Sequence, residues 1–263
     1  MPDYAILDRP EVLAAVFHPR QEWGRPLSAD KEKEHLIAVA PDILIGARFH
    51  IASSSGANIL FFHGNGEIAA DYDDLGPLYN ETGINFLVVD YRGYGRSNGE
   101  PTVSAMMGDS HTILAYVRQW LQENGLTGPL VVMGRSLGSA PALEIASTHA
   151  ADIDGLIVES GFAYAEPLLR LLGVDVARLG FKETQGFGNL AKIKQYQGPT
   201  LIIHAQYDHI IAFADGQALY EAAGAAHKRL LCIEEANHND IFFKGLNLYM
   251  QAIQDLVEHL RTP

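Results

Sequence analysis

Residues 130–146 read Leu-Val-Val-Met-Gly-Arg-Ser-Leu-Gly-Ser-Ala-Pro-Ala-Leu-Glu-Ile-Ala, and they are the segment most informative about the architecture of the protein. Its first four residues are apolar and rich in β-branched side chains, which predicts a short buried strand, whereas residues 139–146 have the character of a helix start. The turn between them, Gly-Arg-Ser-Leu-Gly at residues 134–138, matches the Gly-x-Ser-x-Gly motif. A strand, a sharp turn and a helix around this motif predict a nucleophile elbow, which holds the hydroxyl of Ser136 above a sheet.

A second Gly-x-Ser-x-Gly motif lies at residues 95–99 and contains Ser97. This motif arises by chance in about one chain in ten of such composition, so its context must decide. Gly, Asn and Pro recur too densely in residues 91–101 for a helix to begin there, which predicts a loop. The context therefore favours Ser136 as the nucleophile, although Pro141 predicts a distorted first turn in the helix that follows.

A serine hydroxyl is a poor nucleophile near neutral pH, so the motif predicts a base and an orienting acid elsewhere in the chain. His238 lies in a polar loop that follows the strand-like residues 229–233, and Asp208 follows the strand-like residues 200–204. Nucleophile, acid and base in this chain order form one of the known triad arrangements. We therefore expect Ser136, Asp208 and His238 to be the catalytic residues.

Other residues could take the roles of acid and base. His209 adjoins Asp208 and could point in several directions, while His204 lies within a strand and is expected to be a core residue. Asp215 could replace Asp208, but it lies where a helix begins, and aspartate at such a position usually caps backbone N–H groups. The sequence favours Asp208 and leaves these alternatives open.

The turn His-Gly-Asn-Gly at residues 63–66 follows the apolar, strand-like residues 59–62. Such a turn can present a backbone N–H beside the elbow, so we expect the N–H groups of Asn65 and Leu137 to form an oxyanion hole. His63 is expected to hold the turn together by hydrogen bonds and not to act as a second base.

These segments together resemble α/β-hydrolases of the broad Bem46-like group, which includes ABHD13-type and depalmitoylase-type enzymes. The resemblance covers residues 36–260 and is carried by residues 61–66, 88–97, 134–139 and 204–208 and by His238. It implies an α/β-hydrolase fold and a serine hydrolase that cleaves carboxylic esters or thioesters through an acyl-enzyme intermediate. Depalmitoylase-type relatives carry an amino-terminal cysteine cluster, whereas this chain has one cysteine, Cys232, so membrane-anchored depalmitoylation is not expected.

The organisation of the chain agrees with an α/β fold. Residues 1–34 are expected to form an N-terminal leader with a short helix at 10–17, packed on the outside of a hydrolase domain at 35–263. Strand-like runs lie near residues 36–40, 43–52, 58–62, 85–90, 130–133, 156–159, 200–204 and 229–233, and helical periodicity lies near 69–82, 103–123, 137–149, 214–224 and 244–261. This alternation predicts a mostly parallel eight-stranded sheet flanked by helices, with an antiparallel hairpin at one edge.

Residues 161–198 exceed what a simple crossover needs, and insertions at this place form lids in hydrolases of this fold. Apolar residues of the insertion suit the covering of an acyl chain, which makes Phe162, Tyr164, Leu168 and Phe187 candidate substrate contacts. The leucines of residues 168–172 also fit the buried stripe of a crossover helix, so a purely structural role stays open.

The composition of the chain limits the kinds of molecule that the protein is expected to bind. The 263 residues suit one domain, and the net charge of −13 disfavours nucleic acids and anionic membrane surfaces. The sequence has no signal-like start, no long apolar run and one cysteine, which predicts a cytoplasmic protein without a transmembrane segment. It predicts no metal or cofactor site, because neither the His204 and His209 pair nor residues 93–95 have the further residues that such sites require.

The predicted partner is a small-molecule ester or thioester with an apolar acyl group, and no particular oligomeric state is indicated. Two other functions stay open. The same triad could serve an amidase or peptidase, and a non-catalytic ligand receptor could retain this fold and all three residues.

Overall fold

The computed structural model describes residues 3–22 and 33–261, and its centre is an eight-stranded sheet in the order β1-β2-β4-β3-β5-β6-β7-β8. The strands are β1 (Glu34–Ala40), β2 (Ile43–His50), β3 (Asn58–Phe62), β4 (Asn85–Val89), β5 (Leu130–Arg135), β6 (Gly155–Glu159), β7 (Thr200–Ala205) and β8 (Lys228–Ile233). β2 is antiparallel to both β1 and β4, and the remaining neighbours are parallel. The predicted α/β-hydrolase architecture, including the antiparallel edge, is confirmed.

Helices cover both faces of the sheet. They are α1 (Pro10–Val16), α2 (Gly76–Glu81), α3 (Val103–Glu123), α4 (Ser139–Thr148), α5 (Ala165–Leu171), α6 (Val176–Leu179), α7 (Asn189–Gln195), α8 (Phe213–Ala222) and α9 (Ile241–Arg261). Side chains of β5 alternate between two apolar clusters, with Val132 in one and Val131 and Met133 in the other. Because successive strand residues point to opposite faces, each cluster is the core on one side of the sheet.

The prediction of a single helix over residues 69–82 is wrong, because the structure has two separate elements there. A short 3₁₀ helix spans Ala69–Tyr72, and α2 begins only at Gly76. Pro77 lies in the first turn of α2, where its missing N–H costs little, but it could not continue a helix from the preceding residues. The helix after the elbow begins as a 3₁₀ turn at Ser136–Gly138 before α4, as the position of Pro141 predicts.

The amino-terminal segment packs on the core. Tyr4, Leu7, Val12 and Val16 are buried in the larger apolar cluster. Beside it, Glu144 accepts a hydrogen bond from the Tyr4 hydroxyl and forms a buried ion pair with Lys192 at 2.6 Å. Residues 1–2 and 23–32 of the expected 1–34 leader lie outside the described residues.

The insertion at 161–198 contains α5, α6, a 3₁₀ turn at Glu183–Gln185, and α7. Its leucines differ in environment, since Leu169 is buried in the core and Leu171 is 57% exposed. Cys232 lies half-buried in β8, which is an edge strand of the sheet. Within the described residues, no helix combines the length and apolar character needed to cross a membrane.

Candidate active site

The elbow places Ser136 at the end of β5 in a left-handed backbone conformation, with φ of 52°. This region is costly for a residue other than glycine and is typical of functional positions. Its two flanking glycines are required by close backbone contacts. A Cβ on Gly134 would lie 2.1 Å from the Gly138 carbonyl oxygen, and a Cβ on Gly138 would lie 2.0 Å from the carbonyl oxygen of Phe62.

Ser136, His238 and Asp208 form one hydrogen-bonded chain. His238 Nε2 lies 3.0 Å from Ser136 Oγ, and its Nδ1 lies 2.7 Å from Asp208 Oδ2. The other carboxylate oxygen of Asp208 accepts the N–H groups of Ile210 and Ile211 at 3.0 and 2.8 Å. Burial alone would raise the pKa of Asp208, but His238 and these two N–H groups lower it. An ionised Asp208 favours the proton of His238 on Nδ1, so Nε2 can accept the proton of Ser136.

The alternative acid and base residues lie in other surroundings. Asp215 accepts the N–H of Ala163 at 2.8 Å. It was expected to cap its own helix, but Ala212 is the N-cap of α8, and Asp215 instead holds the loop before α5. His204 is fully buried with Nε2 2.8 Å from the Ile211 carbonyl oxygen, and burial lowers its pKa. His209 is exposed.

The turn after β3 lies beside the elbow because Phe62 pairs with Gly134 in the sheet register. The Tyr91 hydroxyl donates to the His63 carbonyl at 2.6 Å, and His63 Nδ1 lies 2.8 Å from the Gly64 carbonyl oxygen. Fully buried, His63 therefore contacts the turn itself. Within the described part of the chain, the Asn65 N–H has no hydrogen-bond partner, which leaves it available to a ligand.

A cavity of about 170 Å³ lies at Ser136. Asn65, Leu137 and His238 line it, together with apolar residues from elsewhere in the chain that include Val16, Leu168 and Leu172. Val16 comes from α1, so the amino-terminal segment forms part of the wall. Its neighbour His18 donates its N–H to Asn65 Oδ1 at 2.9 Å. Sequence reasoning missed both residues, because no local motif connects α1 with the elbow.

A second cavity of about 230 Å³ shares Leu168 and Ile210 with the first. The candidate substrate contacts divide between the two cavities and the core. Leu168 lines both cavities, and Phe162 and Tyr164 line the second. Phe187 lines neither cavity and packs edge-on against Phe162, with ring centroids 5.0 Å apart.

Arg135, inside the elbow motif, has three hydrogen-bond partners. Its guanidinium donates to Glu67 at 2.9 Å, to Glu159 at 2.7 Å and to the carbonyl oxygen of His238 at 2.9 Å. The elbow motif draws attention to Arg135 in the sequence, but nothing there connects it with Glu67 and Glu159, because both carboxylates lie far away along the chain. In contrast, Ser97 lies outside the site, where its buried hydroxyl accepts the N–H of Gly46 at 2.9 Å.

The structure is thus an α/β protein with a hydrogen-bonded serine, histidine and aspartate at the carboxyl edge of a mostly parallel sheet. A family model described as serine aminopeptidase, S33, matches residues 53–183. The chain belongs to the α/β-hydrolase superfamily.

Curated relatives include "Alpha/beta hydrolase domain-containing protein 17C" of Mus musculus, which is 30% identical over 232 residues, or 84% of this chain and 66% of the relative. The protein of the same name in Homo sapiens is 30% identical over 84% of this chain and 64% of its own length. The chain thus spans slightly less than two thirds of the curated relatives it matches.

Solved structures share the fold at low sequence identity. The Pyrococcus furiosus esterase Pf2001 has a TM-score of 0.72 at 17% identity, covering 92% of this chain and 98% of that one. Est1E from Butyrivibrio proteoclasticus with bound ferulic acid has a TM-score of 0.71 at 16% identity, covering 87% and 100%. A soluble variant of monoglyceride lipase from Saccharomyces cerevisiae has a TM-score of 0.69 at 16% identity, covering 92% and 99%.

Proposed function

We propose that the protein is a serine hydrolase that cleaves carboxylic esters or thioesters through an acyl-enzyme intermediate. The observation that carries this proposal is the continuous chain from Ser136 Oγ through His238 to Asp208, with contacts of 3.0 and 2.7 Å. A nucleophile within hydrogen-bond reach of a base, which a third group orients in turn, is the arrangement that activates a serine.

In the proposed reaction, the Ser136 oxygen attacks the carbonyl carbon while its proton passes to His238 Nε2. The N–H groups of Asn65 and Leu137 stabilise the negative charge on the carbonyl oxygen. His238 then gives the proton to the leaving alkoxide or thiolate, and Asp208 stabilises the transient imidazolium. A water molecule, deprotonated by His238, releases the acid and restores Ser136.

The cavities support an apolar acyl group. Leu168, Leu172 and Val16 line the space at Ser136, and the adjoining cavity adds further apolar side chains such as Phe162 and Leu171. Since these side chains offer no hydrogen bonds, the part of the wall that they form favours a hydrocarbon portion over a polar one. Neighbours described as an esterase and a monoglyceride lipase further support an ester substrate.

A peptidase or amidase is the second candidate, favoured by the family model described as a serine aminopeptidase. It would use the same triad and oxyanion donors. A panel of esters, thioesters and aminoacyl amides with one common acyl group separates the two functions, because the acyl pocket then contributes equally to each substrate. A higher kcat/KM for the amides would replace our proposal with the peptidase.

The first experiment is labelling with a fluorophosphonate, with the modified peptide located by mass spectrometry. We expect modification of Ser136 in the wild type, none in Ser136→Ala, and wild-type labelling in Ser97→Ala. Absence of labelling in folded wild-type protein would contradict the proposal and favour a non-catalytic receptor. Labelling at Ser97 would contradict the choice of elbow.

A further inference from the structure

One guanidinium connects the three segments that carry the proposed catalytic groups. Arg135 directly precedes Ser136 in the elbow, and its donation to the His238 carbonyl oxygen at 2.9 Å holds the loop that carries the base. Its donation to Glu67 at 2.9 Å reaches the turn after β3. The elbow (residues 134–138), the loop that carries His238 (the base loop) and the segment that begins with the turn at residues 63–66 (the oxyanion turn) therefore all contact one side chain.

Glu67 connects Arg135 to the oxyanion turn by hydrogen bonds to both. Its Oε1 accepts from Arg135, while its Oε2 accepts the N–H of Gly64 at 2.7 Å and the hydroxyl of Tyr72 at 2.6 Å. Gly64 immediately precedes Asn65, so the carboxylate fixes the peptide next to the proposed donor N–H. This contact restrains the backbone that leads into the Asn65 N–H.

The network is buried and charged. Arg135 is only 8% exposed. Its third partner, Glu159, accepts a hydrogen bond from the guanidinium at 2.7 Å and another from the Tyr249 hydroxyl at 2.6 Å. Burial would raise the pKa of Glu67, but Arg135 and the Tyr72 hydroxyl lower it to about 2. Both partners of the contact that reaches the turn therefore stay ionised at neutral pH, where charged hydrogen bonds are strong and directional.

We propose that Arg135 and Glu67 are positioning residues that hold the oxyanion turn and the base loop in register with the nucleophile Ser136. The inference rests on the proposed function and extends it to two residues outside the triad and oxyanion hole. Arginine is required at this position because the ammonium of lysine is a point charge that cannot reach three partners in one plane.

The experiment compares Arg135→Lys, Glu67→Gln and Glu67→Ala by rate of fluorophosphonate modification of Ser136, by kcat and KM on a short-chain ester, and by Tm. A misplaced oxyanion donor or base typically costs about 10²-fold in rate. We expect Arg135→Lys to lower kcat and the modification rate about 10²-fold, with KM changed less than about threefold. Such a split between kcat and KM is a readout that a merely structural role would not give.

The two Glu67 variants grade the effect. Glutamine retains an oxygen that can accept the Gly64 N–H but loses the charge facing Arg135, whereas alanine loses both. We therefore expect kcat in the order wild type, Glu67→Gln, Glu67→Ala, with about tenfold between neighbours. If Glu67→Gln retains part of the kcat that Glu67→Ala loses, the hydrogen bond to the turn contributes to kcat independently of the negative charge.

Arg48→Lys is the matched control. Arg48 is likewise 8% exposed, and its guanidinium contacts Glu22 and Asp73, away from both cavities. It should lower Tm comparably while retaining the modification rate. If folded Arg135→Lys and Glu67 variants reacted at the wild-type rate, or if Arg48→Lys lost as much, the positioning role would be overturned. An unreactive wild type would instead overturn the proposed function together with this inference.

Discussion

Replacing Asp208 by asparagine tests the triad most sharply, because the surrounding contacts determine how the new amide must lie. In the wild type, Oδ1 accepts the N–H groups of Ile210 and Ile211, and Oδ2 faces His238 Nδ1 at 2.7 Å. The asparagine oxygen must keep the position that receives the two N–H groups, since an amide nitrogen there would meet two donors. The NH₂ group then faces His238.

An NH₂ donor at Nδ1 forces the imidazole proton onto Nε2, the nitrogen that lies 3.0 Å from Ser136 Oγ. His238 would then present a donor to the hydroxyl and could not accept its proton. The corresponding wrong-tautomer change in a serine triad costs about 10⁴ in kcat, or about 5.4 kcal/mol of transition-state stabilisation. Because the substitution is isosteric and keeps both backbone contacts, we expect Tm to change by only a few degrees.

The assay is steady-state hydrolysis of a chromogenic ester, with fluorophosphonate modification as a second readout of the same hydroxyl. Asp215→Asn is the matched control, since Asp215 is the alternative acid, and we expect it to retain kcat within about tenfold. Retention of more than a tenth of wild-type kcat by Asp208→Asn would refute the assigned tautomer. A 10³-fold loss in Asp215→Asn would transfer the role of acid to that residue.

Three further changes have expected outcomes. Gly138→Ala should lower the stability measured by urea unfolding by at least about 2 kcal/mol and abolish modification of Ser136, because the new Cβ would lie 2.0 Å from the carbonyl oxygen of Phe62; wild-type stability would contradict the packing of the elbow. Ser97→Ala should cost about 1–3 kcal/mol in the same measurement, since the buried N–H of Gly46 loses its acceptor, while kcat changes less than about twofold; a large loss of kcat would give Ser97 a catalytic role. Burial would raise the pKa of Glu144, but its hydrogen bonds and its ion pair with Lys192 lower it to about 2, so the stability that the ionised carboxylate contributes is present above about pH 4.5 and lost as the pH falls towards 2. Urea unfolding should therefore show a smaller acid-induced loss of stability in Glu144→Gln than in the wild type, and an equal loss would contradict the ionised pair.

The sequence could predict the sheet because each strand is a compact apolar run between turn residues. The eight runs coincide with β1–β8 within a few residues, and their alternation with helices determines the parallel core. The interrupted helix at residues 69–82 shows the limit of periodicity. Apolar spacing continued across Gly76-Pro77, but the missing N–H of proline placed the start of α2 there.

Site residues with a local signature were predictable, and those without one were not. Gly134 and Gly138 identify the elbow, and Asp208 and His238 each follow a strand, so all arise from patterns within a few residues. Glu67 and Glu159 have no such pattern, because their relation to Arg135 exists only once β3, β5 and β6 are adjacent in the sheet. Their charge also suits an ordinary surface residue.

The amino-terminal segment has a consequence for the timing of folding. Tyr4 and Lys192 are partners across 188 positions of the chain, and His18 contacts Asn65 across 47 positions. Contacts between distant residues form late because a long loop must close before they give any stabilisation. During synthesis the contact of His18 with Asn65 can therefore form early, whereas Tyr4 must wait until Lys192 has emerged. A ribosome-bound fragment ending before residue 192 should therefore lack the Tyr4 contact that holds this segment, and with it a firm wall at Val16 beside Ser136.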